Sequence, residues 1–158
     1  MKRKPSLIKS ALGAALIAAL LGGGTLAIAA PPAGAAIAAR QANFKKMGAA
    51  MKVLKDELGG SADKAKMAGA AKTLAAMARA QIPLFPAGSG AAAGVKTDAL
   101  PAIWTQRGPF DASAKKLIAD ADKLVAATAS GNVAAIGAQF KQVGGTCGGC
   151  HRQFRADD

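Results

Sequence analysis

Four stretches of this chain carry apolar residues at intervals of three and four, the spacing that gathers one face of a helix against a core. From Ile37 to about Leu58 the stripe is Ile37, Phe44, Met47, Met51, Leu54 and Leu58, with Gly59-Gly60 past its last turn. A second stretch starts at Ser61 or Asp63 and carries Met67, Leu74, Met77 and Ile82. Pro83 then stops it, because proline has no N–H to continue the ladder. A third is expected to begin after Asp111 as its N-cap, with Leu117, Ile118, Ala121, Leu124 and Val125 facing inward and Ser130-Gly131-Asn132 closing it. The fourth runs from Val133 to about Arg155 through Val133, Ile136, Phe140, Val143, Cys147, Cys150 or His151, and Phe154. A chain rich in alanine, lysine, leucine and methionine, without tyrosine and with few β-branched runs, favours helix throughout. The expected fold is all-α, an antiparallel four-helix bundle.

The fourth stripe passes through Cys147-Gly148-Gly149-Cys150-His151. Cys-x-x-Cys-His is the attachment pattern of c-type haem. Two thiols add across the two vinyl groups of one haem, and the adjacent histidine lies under the iron as proximal ligand. On a helix Cys147, Cys150 and His151 stand at i, i+3 and i+4 and face one way. The chain has two cysteines and one histidine, and this pentapeptide uses them all. A structural zinc site needs a fourth ligand of these types, which the chain lacks. A thioredoxin-like pair sits on a βαβ pattern, and no strand pattern appears here. A Cys147–Cys150 disulfide in an exported non-haem bundle is the remaining alternative, but it constrains little chain and leaves His151 without a role. The motif continues the core stripe, which predicts haem c held covalently inside the bundle. Gly144-Gly145 and Gly148-Gly149 interrupt the same helix at a cost of about 1 kcal/mol each relative to alanine, so close approach of the macrocycle is expected along them.

The amino terminus sets the compartment. Lys2, Arg3, Lys4 and Lys9 precede an apolar run from Ala11 to Ala30, and small residues offer cleavage at Ala27-Ile28-Ala29 or Ala33-Gly34-Ala35. Residues 1–35 therefore read as a cleaved secretory signal and 36–158 as one haem domain of ordinary size. The run is also about long enough to span a bilayer, but Gly22-Gly23-Gly24 and the small-residue exit favour cleavage. Four of the 21 cations lie in the signal, which leaves 17 against nine acids, a charge near +8. The cations are spread along the helices without a basic block, so nucleic acid is not an expected partner. A basic surface could steer an acidic redox partner, whose identity the sequence leaves open. No second histidine, carboxylate pair or nucleophile site can be named, and the chain is not expected to be an enzyme.

Pro83 to Phe110 has no clear period and holds Pro83, Pro86, Pro101 and Gly88-Ser89-Gly90. It is too long for an ordinary bundle connection. A short helical turn is expected from Ala99 to Trp104. This segment is either a linker or a lid, and Trp104 either covers the haem or plugs the end of the bundle.

Three anchors resemble cytochrome c′ and its low-spin relatives, the class II c-type cytochromes. They are Arg40-Gln41-Ala42-Asn43-Phe44-Lys45-Lys46-Met47-Gly48, then Leu84-Phe85-Pro86-Ala87-Gly88-Ser89 with Leu100-Pro101-Ala102-Ile103-Trp104, then Thr146 to His151 with Arg155 four residues on. The resemblance implies a periplasmic four-helix haem protein that forms a homodimer through its first two helices, where Ala49-Ala50 and Ala70-Ala71 permit close approach. It implies that Arg40 and Gln41 lie near a haem propionate and Arg155 near the proximal pocket. Low-spin members resemble Arg-Gln-x-x-Met, with methionine as sixth ligand. Here Phe44 occupies that place and offers no donor atom, which implies a five-coordinate iron open to small gases such as nitric oxide or carbon monoxide. Met47, one turn on, is the alternative sixth ligand of a low-spin electron carrier, or a core residue.

Overall fold

The computed structural model describes residues 32–156. All but the last four residues of the expected signal lie outside the described residues. Helix α1 spans Ala33–Leu58, α2 Lys64–Gln81, the short α3 Ala102–Thr105, α4 Arg107–Ser130 and α5 Val133–Phe154. The five residues between α1 and α2 and the two between α4 and α5 are too short for anything but antiparallel neighbours. α1 packs on α2, α2 on α4, and α4 on α5. The architecture is a four-helix bundle.

Local chemistry explains most boundaries. The Asp63 side chain accepts from Lys66 N at 3.0 Å and caps α2. The Asn132 side chain accepts from Ala135 N at 3.1 Å and caps α5. Gly131 ends α4 with φ +68°, a left-handed conformation that only glycine adopts without strain. Two boundaries differ from the periodicity. α1 starts four residues before Ile37, immediately after Pro32, and buries Ala36 together with Ile37. α4 starts at Arg107 rather than after Asp111. Pro109 falls in its first turn, where a missing N–H costs nothing. Asp111 is therefore no N-cap; its carboxylate accepts instead from Arg107 Nε at 2.8 Å.

The main core joins Met47, Leu54, Met67, Leu74, Ala121, Leu124, Ile136 and Val143 across the four long helices. Val133 does not join it; as the first residue of α5 it is exposed. A second, aromatic cluster of Phe85, Phe110 and Phe154 with Ile103 forms where the segment between α2 and α4 folds over the bundle end. Phe85 and Phe110 meet edge to face at 4.8 Å, and Phe110 and Phe154 at 5.4 Å. That segment is pinned to the end of α5, with Leu100 N donating to Phe154 O at 3.0 Å and Ala156 N to Asp98 O at 2.8 Å. Its helical turn begins at Ala102, three residues later than the sequence suggests, because Pro101 stands as its N-cap.

Candidate haem site

A cavity of about 740 Å³ opens between α1, α5 and the segment joining α2 to α4. This is the size of a cofactor pocket. α5 presents Cys147, Cys150 and His151 to it from one face, as their i, i+3, i+4 spacing requires. Cys147 packs on the main core and Cys150 on the aromatic cluster, so the two sulfurs stand where the two cores meet. They are not joined to each other. Burial pushes both thiols above their ordinary pKa. His151 is exposed at the cavity wall, yet protein around its ring, and then the Arg155 cation, pushes its pKa down. The neutral imidazole so favoured is the form that can ligate a metal. Among the described residues no three of His, Cys, Asp and Glu gather as a metal cluster.

The facing wall comes from α1. Arg40, Gln41, Phe44 and Met47 all line the cavity, as does Arg155 at the end of α5. Arg40 is 2% exposed, a rare condition for a cation. Its guanidinium donates to Ser89 Oγ at 3.0 Å and Thr97 Oγ1 at 2.7 Å, and lies 4.8 Å from the Phe85 ring centroid and 5.9 Å from that of Trp104. Among the described residues no carboxylate lies within ion-pair distance of it. Burial lowers its pKa, as expected for a cation held among hydroxyls and ring faces. Gln41 Nε2 donates to Lys96 O at 3.0 Å. Arg40 and Gln41 thus clip the long segment onto α1, a role that sequence reasoning missed because Ser89, Thr97 and Lys96 lie some fifty residues away.

Trp104 is the one predicted site residue that does not line the cavity. It stands behind Phe85 with ring centroids 6.4 Å apart, and its indole N–H donates to Pro86 O at 2.9 Å. Gly90 lies against it so closely that a Cβ there would come within 3.3 Å of the ring. Phe85, part of the second anchor but not singled out as a site residue, is the ring that reaches the cavity instead, its centroid 6.5 Å from that of Phe44. The long segment is a wall of the site: Phe85, Thr97, Asp98, Ala99 and Ile103 all face it.

Gly144, Gly145, Gly148 and Gly149 stand off the cavity lining. Gly145 and Gly149 border a separate groove of about 300 Å³ between α4 and α5. The nearest side chain to Gly148 and Gly149 is the Arg152 guanidinium.

The residues present fit a covalently held haem. Phe44 is 40% exposed, a large apolar ring offered to the cavity. Arg40 and Arg155 offer two guanidinium groups on the same walls. An apolar macrocycle carrying carboxylates would bury the ring and could meet the cations. Cys147, Cys150 and His151 supply the attachment and ligation chemistry in one helical turn.

Comparisons with known proteins agree. The family model described as Cytochrome C' matches residues 35–155. The cytochrome c′ of Rubrivivax gelatinosus is 41% identical over 75 residues, covering 48% of this chain and 58% of that protein. The cytochrome c′ of Pararhodospirillum photometricum is 34% identical over 117 residues, 74% of this chain and 90% of its own. The alignments thus span little more than half of some relatives and nearly all of others. A solved cytochrome c′ whose dimer shows ligand-controlled dissociation superposes with a TM-score of 0.76 at 28% identity, covering 82% of this chain and all of its own. With the bundle, the Cys-x-x-Cys-His turn on the cavity wall and these likenesses together, the chain belongs to the cytochrome c′ family, whose members carry one covalently attached haem c.

Proposed function

We propose that this protein is a periplasmic mono-haem cytochrome that carries single electrons and leaves the distal side of its iron open to a small gas such as nitric oxide or carbon monoxide. The observation that carries the proposal is Phe44: a side chain without a donor atom holds the α1 wall of the cavity whose α5 wall bears His151. Cys147 and Cys150 would hold the haem, His151 would ligate its iron, Arg40 and Gln41 would meet its carboxylates, and Arg155, one turn after His151, would stand on the proximal side. When bound, the haem supplies one-electron chemistry and a coordination position on the iron. The chain's own residues shape access to that position. Phe44 and Phe85 narrow the α1 side with two rings set edge to face. Met47 lines the same cavity but is 5% exposed and packs into the main core, the arrangement of a core methionine. The periplasmic assignment rests on the basic, apolar leader and its small-residue exit.

Absorption and magnetic circular dichroism of the purified, haem-loaded protein test the distal assignment. A five-coordinate spectrum in both oxidation states, with carbon monoxide taken up by the reduced protein, is expected. A methionine-to-iron charge-transfer band would instead assign Met47 as the sixth ligand and leave plain electron transfer.

A homodimer is part of the same proposal, on revised grounds. Ala50, Ala70 and Ala71 are buried within the subunit's own core and cannot also form an interface. Ala49 and Val53, one turn apart on α1, are exposed. They join the dimer of the solved relative as its support. Sedimentation at micromolar concentration should give twice the monomer mass, and Val53→Lys should shift the equilibrium toward monomer. A strict monomer without the substitution would remove the dimer.

A further inference from the structure

Asp120 lies on α4, outside the cavity wall and outside every motif in the sequence. It is nonetheless buried, with its side chain 5% exposed, while its ion-pair partner Lys116 is 54% exposed. Asp120 Oδ2 accepts from Lys116 Nζ at 2.6 Å and from Thr146 Oγ1 at 2.6 Å. Lys116 Nζ also reaches Thr146 Oγ1 at 3.0 Å, closing a triangle. The backbone carbonyl of Asp120 accepts from Gln139 Nε2 at 3.0 Å. One residue of α4 therefore grips α5 at two levels, about two turns apart, and the second grip is on the residue directly before Cys147. Thr146 is itself buried and lines the cavity beside Cys147.

We propose that Asp120 is a positioning residue that, through Thr146, sets the register of the cysteine-bearing turn and places a fixed negative charge beside the haem, biasing the iron toward its oxidised state. A clamp alone needs no charge, for an amide of the same shape could accept the same hydrogen bonds. A buried carboxylate is costly to desolvate and is tolerated here because two donors meet one oxygen. Burial opposes its ionisation, but the bonds from Lys116 and Thr146 outweigh this and hold the carboxyl below its ordinary pKa. The two charges of the pair do not cancel toward the haem. Lys116 borders the outer groove and is screened by water, whereas Asp120 acts through protein, where charges are felt more strongly. The carboxylate is held against Thr146, the residue bonded directly to Cys147, so the charge stands one residue from the attachment site. The proposal rests on the covalent haem and not on which residue, if any, is the sixth ligand.

Spectroelectrochemical titration of the haem-loaded protein at pH 7.5 is the test, with Asp120→Asn and Lys116→Met beside the unmutated chain. Asp120→Asn should move the midpoint upward, on the order of tenfold in the Fe(II) to Fe(III) ratio at fixed potential, or about 59 mV for one electron. Lys116→Met should move it downward, by less, and that shift should shrink as salt is raised while the Asp120→Asn shift persists. Opposite signs cannot come from loosened packing, which would act alike in both variants. Shifts of the same sign, or none, overturn the proposal. If Asp120→Asn fails to load haem, Lys116→Met decides alone: a downward shift supports the charge and an upward or absent one refutes it. Haem retention in the unmutated protein after acid-acetone extraction is checked first; its loss would sink the functional reading as well, whereas wrong-signed potentials sink this proposal only.

Discussion

Replacing Cys147 and Cys150 together by serine should turn a haem that survives acid-acetone extraction into one that is extracted completely. The two thioether links are the only covalent bonds this chain can make to the macrocycle, because it has no third cysteine. Serine keeps the volume and the helix but cannot add to a vinyl group. The cavity walls remain, so some haem should still bind, held by burial and by His151, and the extraction assay separates attachment from mere binding. Haem that stays fixed to the polypeptide in the double variant would refute the attachment. His151→Ala should act differently. The covalent links survive, but the iron loses its only imidazole, and the absorption spectrum should change in both oxidation states. An unchanged spectrum in that variant would rule out His151 as ligand. Both substitutions should leave the bundle folded, for Cys147 and Cys150 are only half-buried and His151 is exposed.

Phe44→Ala should speed carbon monoxide binding to the reduced protein by on the order of tenfold, the effect of lowering a steric barrier by about 1.4 kcal/mol. Phe44 has room to act as a cap because its ring is exposed to the cavity and meets the Phe85 ring edge to face at 6.5 Å. Phe44→Met should go further and convert the iron to a six-coordinate low-spin state, since thioether sulfur placed at the same helical position is a haem ligand. Met47→Leu is the control. It keeps volume in a packed core and should leave the spectrum unchanged. If the unmutated protein instead shows a methionine-iron band that vanishes only in Met47→Leu, the open distal site is wrong. The two positions differ by one helical turn, so the pair of variants also reports which turn of α1 faces the iron.

Recognition of the cofactor needed no tertiary information. The five residues from Cys147 to His151 carry attachment and ligation in themselves, because one helical turn is enough to bring all three side chains to one face. The four long helices were legible for a related reason: their apolar spacing is a local, repeating property, and the caps Asp63, Asn132 and Gly131 act within four residues of the ends they fix. Where a boundary depended on a choice between two local signals, as at Asp111, the capping signal was the wrong one. An acidic residue can cap a helix or pair with a cation one turn before it, and Arg107 decided the matter.

Everything that makes the site a cavity rather than a motif came from distant segments. Arg40 meets Ser89 and Thr97, Asn43 meets Met77 and Gln81, and Asp120 meets Thr146 across separations of 26 to 57 residues. No period or spacing in a sequence encodes such pairs. The segment between α2 and α4 shows the same limit. Its prolines and glycines mark it as irregular, but its place over the bundle end follows from Phe85, Ile103, Phe110 and Phe154 finding one another. Helix type and haem chemistry are short-range and were written in the sequence, whereas the walls, the buried Arg40 cation and the buried carboxylate depend on which surfaces meet, and only packing decides that.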